Sequence, residues 1–300
     1  MIKIGVLGLG NIAQKAYLPV MAAMQDQYEF HLTTRNPEKR QQLAAEYGFT
    51  HTHATLDELM ATQPAAVFVH TPTATHASII KKLLLADINV YVDKPVSMDL
   101  QEVQGLYDLA AARHLLLTCG FNRRFAPLNQ QLKAIPDKRL IMAEKVRETS
   151  DQDVETAVFD LMIHSVDTGL YLLDEPLVTT TGRIVATADG KLAQGYFTAQ
   201  TAHEQLQVVT NMRGGINLET STVQASLQRA VVNNLSSLTT YQTAQTQTTI
   251  FPDWTQTLEK RGFAPLIRAF LTAVATHGPN PVDPTSAITS HAVCRHLLSD

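Results

Sequence analysis

Over roughly the first 120 residues, short apolar runs alternate with longer amphipathic segments. Tyr28 to Thr34 reads as a strand, and Ile2 to Leu7, Ala66 to Thr71, Ile88 to Val92 and Leu115 to Cys119 are short apolar runs bounded by turn residues. That is the pattern of strands buried on both faces. The stretches between them, such as Pro37 to Tyr47, carry helical spacing. Such alternation predicts an α/β fold, a doubly wound parallel sheet with helices on its faces.

Beyond Gly120 the pattern changes to one helix-rich stretch followed by strands. Phe159, Ile163, Val166, Leu170 and Leu173 recur at steps of four and three, the core stripe of a helix. Asp160, His164 and Asp167 repeat those steps one residue later and form a polar stripe beside it. From Leu177 to Thr249 the chain is rich in Thr, Val and Gln, with turn signals at Asp189-Gly190 and Gly214-Gly215. Both pairs read as hairpin loops in a large, mostly antiparallel sheet. One face of that sheet would cover the helix, and the other needs a second subunit or solvent. Phe263, Ile267, Phe270 and Val274 mark a late helix, and Thr285 to Leu298 a terminal one. The expectation is a Rossmann-type domain over 1–120 and an α+β substrate-binding and dimerisation domain over 121–300, its terminal helix free to pack back on the first.

The chemistry concentrates at strand ends. Gly8-Leu9-Gly10-Asn11-Ile12-Ala13 directly follows the first strand and opens a helix, the G-x-G-x-x-A form of the dinucleotide fingerprint. Gly8 permits the tight turn, Gly10 leaves room for a pyrophosphate, and Ala13 lets the helix pack closely. The phosphates would meet the helix N-terminus, where unpaired N–H groups favour anions. At the end of the second strand, Thr34 stands where an acid would bind both ribose hydroxyls of NAD, and Arg35 follows. That weighs NADP over NAD. Lys94, in Asp93-Lys94-Pro95, ends another strand on a corner stiffened by proline. Asp160 with His164 is an acid/base pair or, equally in form, a helix-surface ion pair.

Separated motifs then agree. Gly8 to Pro19 (GLGNIAQKAYLP), Val67 to Pro72 (VFVHTP) with His76, and Val92-Asp-Lys-Pro95 are joined by Gly120 to Pro127 (GFNRRFAP), Asp160-x-x-x-His164-Ser-Val-Asp167, and Trp254 to Phe263. In these the chain resembles the Gfo/Idh/MocA oxidoreductases, most nearly those of the MviM type. The resemblance implies that Lys94 reaches nicotinamide and substrate, and that Asp160 and His164 bind and activate the reacting hydroxyl. It further implies cofactor contacts from Thr71, Pro72, His76, Asp93 and Arg123. Two departures stand out. Asp93 replaces the usual Glu, and Met162 replaces a Gly, which would narrow the pocket.

The implied activity is NAD(P)-dependent hydride transfer at a secondary alcohol or ketone of a sugar, cyclitol or polyol. Cleavage of a C–O bond with a recycled cofactor, or nucleotide-responsive binding without turnover, are the alternatives. A formal charge of −4 gives no reason to expect nucleic acid or an acidic membrane. No apolar run approaches a bilayer-spanning length, and no signal peptide precedes the first strand, so a cytoplasmic enzyme is expected. Cys119 and Cys294 read as reduced buried thiols. His51 with His53, and His291 with Cys294 and His296, lack the spacing of a closed zinc site, so no metal is expected.

Overall fold

The computed structural model describes residues 1–299. The chain folds as two compact units, the first made of Met1–Gly120 and Phe263–Thr285, the second of Phe121–Gly262 and the residues from Ser286 on.

In the first unit six strands form one parallel sheet: β1 (Ile2–Leu7), β2 (Tyr28–Thr33), β3 (His51–His53), β4 (Ala66–Val69), β5 (Asn89–Val92) and β6 (Leu117–Cys119). Their order is β3-β2-β1-β4-β5-β6. The chain winds one way from β1 and the other way from β4, so a crevice opens at their carboxyl ends. A π-helical turn (Ala13–Tyr17) runs into α1 (Leu18–Ala22), followed by α2 (Pro37–Tyr47), α3 (Leu56–Ala61), α4 (His76–Leu85) and α5 (Leu100–Ala112). Local chemistry sets these starts. The Asn36 side chain accepts from Lys39 N ahead of Pro37, and Asp99 accepts from Gln101 N and Glu102 N. β4 is buried at every residue, which explains its unbroken apolar run. The short strand that His51 and His53 suggest is present as β3, a polar strand at the sheet edge.

The late helix, Phe263–Thr276, belongs to this unit and not to the second half as the sequence suggested. Its Phe270 packs edge-on against Phe68 (5.2 Å between centroids) and Tyr91 (5.5 Å), while Phe263 meets Tyr17 at 5.7 Å. Buried aromatic pairs of this kind add about 0.5–1.5 kcal/mol each beyond their area.

The second unit is built on an eight-stranded sheet of β7 (Lys138–Val146), β8 (Thr179–Ala186), β9 (Leu192–Gln200), β10 (Gln205–Asn211), β11 (Leu218–Ala225), β12 (Arg229–Asn233), β13 (Ser237–Gln242) and β14 (Gln245–Ile250). The order is β14-β13-β12-β11-β7-β10-β9-β8, antiparallel except where β10 runs parallel to β7. The Asp189-Gly190 turn does join the antiparallel pair β8 and β9. The Gly214-Gly215 turn closes no hairpin. β10 and β11 lie on opposite sides of β7, and the turn carries the chain past the end of that strand. Gly214 N donates to Arg147 O at 2.8 Å, and a Cβ there would stand 2.1 Å from Val146. The central strand went unseen because its charges hide it. Lys138 and Lys145 are buried, and their ammonium groups are taken up by Asp174 and Glu219.

On one face of this sheet lie α6 (Pro127–Lys133), α7 (Val154–Ala157), a π-helical turn (Val158–Met162) and α8 (Ile163–Leu172). The stripe Phe159, Ile163, Val166 and Leu173 is buried as expected, each side chain contributing about 1.5–3 kcal/mol. At Gly169 a Cβ would come within 2.7 Å of Leu206, so α8 sits close on β10.

Candidate active site

A cavity of about 470 Å³ lies at the carboxyl ends of the first unit's strands, lined by Gly8, Gly10, Thr33, Thr34, Arg35, His70, Thr71 and Pro72 among others. Two of the fingerprint residues, Gly8 and Gly10, line this cavity. Gly8 has φ +91°, and a Cβ on it would strike the His70 carbonyl and Thr71 N at 2.8 Å. A Cβ on Gly10 would meet nothing within 4 Å, so its bareness leaves open space rather than relieving a protein contact. Ala13 is fully buried where the helix meets the sheet. Asn11 and Ile12 form the first helical residues between them. Arg35 is exposed at the rim, with Thr34 beside it and no acid at either position.

His70 was not foreseen. It is buried, and neither ring nitrogen has a partner. Burial, with the nearby His76 as a lesser cause, pushes its pKa down to about 3, so the ring is neutral. An orphaned buried polar group costs about 1–3 kcal/mol. A wall holding such a group, beside glycines that leave room for phosphates, fits a dinucleotide.

Lys94 lies just beyond β5, half-buried, on a turn fixed from several sides. Asp93 N donates to Val69 O at 3.1 Å, and Gly120 N to Val92 O at 2.8 Å. Tyr17 donates its hydroxyl to Asp93 Oδ1 at 2.7 Å and lies 3.2 Å from the Tyr91 hydroxyl. Burial and then the Asp93 charge hold the Tyr17 phenol well above its ordinary range. Tyr17 therefore stays a donor, and it supports the short Asp93 arm that stands in place of Glu. His76 sits between two backbone carbonyls, its Nδ1 2.9 Å from Pro95 O and its Nε2 2.8 Å from Thr71 O, and its N–H donates to one or the other according to the tautomer.

In the second unit Asp160 occupies the π-helical turn and His164 the first turn of α8, both half-buried. Gln152 Nε2 donates to Asp160 Oδ2 at 3.3 Å. π-helical turns recur at functional sites because the extra residue re-aims side chains that regular spacing would fix. Met162 does not narrow a pocket. It is fully buried with its sulfur over Gly195 of β9, where a Cβ would stand only 2.5 Å from that sulfur. Large on the helix and small on the strand, the pair fills the core.

Arg123 is taken up within the second unit. Its guanidinium grips Glu219 through Nε (2.5 Å) and Nη2 (2.9 Å), and Lys145 Nζ reaches the same carboxylate at 2.5 Å. Burial opposes the Glu219 charge, but the two cations outweigh it and hold the carboxyl well below its ordinary value. Asp167 is likewise structural. Arg124 Nη2 donates to it at 2.5 Å and Ser290 Oγ at 2.8 Å, tying α8 to the terminal helix (Pro284–His296).

Comparison with known proteins extends this picture. The model of the oxidoreductase family GFO_IDH_MocA, described as an NAD-binding Rossmann fold, matches residues 2–121. A Gfo/Idh/MocA family oxidoreductase from Vibrio cholerae is 30% identical, with a TM-score of 0.91 over 100% of this chain and 99% of its own. The chain belongs to the Gfo/Idh/MocA family. The dehydrogenase MviM of Clostridium difficile, 25% identical, superposes with a TM-score of 0.94 over 99% of each chain. YceM of Salmonella typhimurium, an oxidoreductase by name, is 29% identical over 100% of this chain and 98% of its own length. An inositol 2-dehydrogenase of Rhizobium meliloti is 27% identical over 71% of this chain and 69% of its own. The family is one of NAD(P)-binding oxidoreductases, and no helix among the described residues is long and apolar enough to cross a membrane.

Proposed function

We propose that this chain is a dehydrogenase or reductase that moves a hydride between NADP and a secondary alcohol or ketone of a sugar, cyclitol or polyol. The observation that carries the reading is the first unit's cavity, where the bare Gly8-Gly10 turn, the acid-free Thr34-Arg35 rim and the orphaned His70 line one space. Arg35 would pair with the 2′-phosphate of NADP. When bound, the nicotinamide supplies or accepts the hydride. Lys94, held by the turn that Tyr17 and His76 brace, neutralises charge on the reacting oxygen. His164 exchanges the hydroxyl proton, and Asp160 grips the substrate hydroxyl. The named activity of the Rhizobium relative supports the cyclitol and sugar class.

The same reading includes a dimer. The sheet face away from α8 exposes Met142, Tyr196 and Tyr241 among Val209, Thr220, Thr222 and Val231. Half-apolar faces of that extent are usually covered, and a two-fold pair is the commonest way.

The test is a panel of cyclitols, sugars and their oxidised forms incubated with NADP and NADPH, read by nicotinamide absorbance and product analysis. Net change of cofactor with a matching ketone or alcohol is expected. A cleaved product with no net change of cofactor would replace hydride transfer by elimination.

A further inference from the structure

The edge of the first unit's sheet carries a side-chain cluster that the dinucleotide cavity does not use. β3 pairs in parallel with β2, His51 beside His31 and His53 beside Thr33. Partners in a parallel pair share a face, and Glu29 lies two residues before His31 on the same side. One carboxylate and three imidazoles therefore meet at the sheet edge. His31 Nε2 is 2.8 Å from Glu29 Oε1, His51 Nε2 is 4.0 Å from Glu29 Oε2, and the three ligand atoms lie within 4.8 Å of one another. The rings of His51 and His53 stack on that of His31, with centroids 4.7 and 5.1 Å away and planes within 14° and 6°.

We propose that Glu29, His31 and His51 form a site for one divalent transition-metal ion of the zinc class, with His53 as the partner that orients His31. Ligand atoms around a tetrahedral zinc ion stand about 3.4 Å apart, given bonds of about 2.0–2.2 Å. The 2.8 and 4.0 Å separations run to different oxygens of Glu29, and the three ligand atoms lie within 4.8 Å of one another, so side-chain movements of about an ångström would bring them to that spacing. His31 Nδ1 lies 2.9 Å from His53 Nε2, which leaves Nε2 as the metal-facing nitrogen. Outer partners of this kind fix the tautomer of a ligating histidine. The balance of rigidity and access also suits an ion: His31 is 5% exposed and His51 46% exposed, so one ligand is anchored and another guards an open path. Two imidazoles and one carboxylate select zinc, nickel or copper over magnesium, which demands an oxygen shell. Water would take the remaining position.

The sequence could not show this. His51-x-His53 offers only two donors, and the others arrive through strand pairing. Such a site would pin the edge strand to β2 where both strands run on into the cavity wall, through Thr33, Thr34 and Arg35 on one side and Ala54 and Thr55 on the other.

The experiment is calorimetric titration of the untagged full-length protein with zinc chloride, and with magnesium chloride in parallel. One zinc per chain with a Kd on the order of 1–10 μM is expected, with no magnesium heat, and the melting temperature should rise with zinc. Glu29→Gln and His51→Ala should each weaken zinc by at least about 10-fold, and His53→Gln by about 10-fold, the usual cost of an outer partner. His51 is surface-exposed, so its variant keeps the fold, which circular dichroism checks. Zinc binding no tighter than roughly 100 μM would overturn the proposal, as would wild-type affinity in both Glu29→Gln and His51→Ala.

Discussion

Tyr17 holds Asp93: its hydroxyl donates to Asp93 Oδ1 at 2.7 Å from the helix that follows the glycine fingerprint, and Asp93 immediately precedes Lys94. The helix after the fingerprint and the lysine turn are thus tied together. Tyr17→Phe removes a donor to the half-buried Asp93 carboxylate. A loss of about 1–3 kcal/mol in chemical denaturation is expected. Turnover should fall by about 10-fold while NADPH affinity changes little, since a misplaced lysine affects the reacting oxygen and not the phosphates. Unchanged turnover would separate Tyr17 from the lysine.

Lys94 and His164 are expected to carry charge and proton respectively. His164→Asn should leave nucleotide affinity nearly intact and lower turnover by about 10²–10⁴. Lys94→Met should cost at least as much, because it removes both orientation and charge. Steady-state rates on the substrate found by the panel check both, and full activity in either variant would refute its role.

Arg35 is expected to set cofactor choice. A charge-assisted contact to a 2′-phosphate contributes about 1.5–3 kcal/mol, so NADPH should bind roughly 10–100 times more tightly than NADH. Arg35→Ala should erase most of that gap in a fluorescence titration. Equal affinities in the unmodified protein would remove the preference for NADP.

His70 should make the first unit sensitive to acid. Its folded pKa is about 3 against an unfolded value of 6.5, so between these limits the unfolded chain binds the extra proton. Stability is then full above pH 6.5 and declines as the pH falls toward 3. Between pH 7.5 and 5.5 the wild type should lose about 1.4 kcal/mol more than His70→Asn, by denaturant melts without nucleotide. Parallel curves for the two proteins would mean that the ring gains its proton without unfolding.

The exposed sheet face should pair two chains. Sedimentation at micromolar concentration is expected to show a dimer, and Met142→Arg to shift it toward monomer by placing a charge in the apolar centre. A monomeric wild type would leave that face to solvent.

Where local pattern and chemistry coincide, the sequence by itself determined the outcome. The apolar runs at β1, β4, β5 and β6 called for buried strands, and the Gly8-x-Gly10 turn between a strand and a helix matched the dinucleotide fingerprint. The Phe159 to Leu173 stripe fixed a helix for the same reason, since periodicity reports burial directly. Tertiary structure decided everything that depends on pairing across long chain separations. Lys138 and Lys145 make β7 read as surface until Asp174 and Glu219 neutralise them, and only then can the strand sit between β10 and β11. Met162 looked like a pocket residue until Gly195 supplied the matching hollow. Only the fold set His76 between the carbonyls of Pro95 and Thr71. In each case the side chain's role is set by a neighbour many residues away, and no local spacing records which neighbour that is.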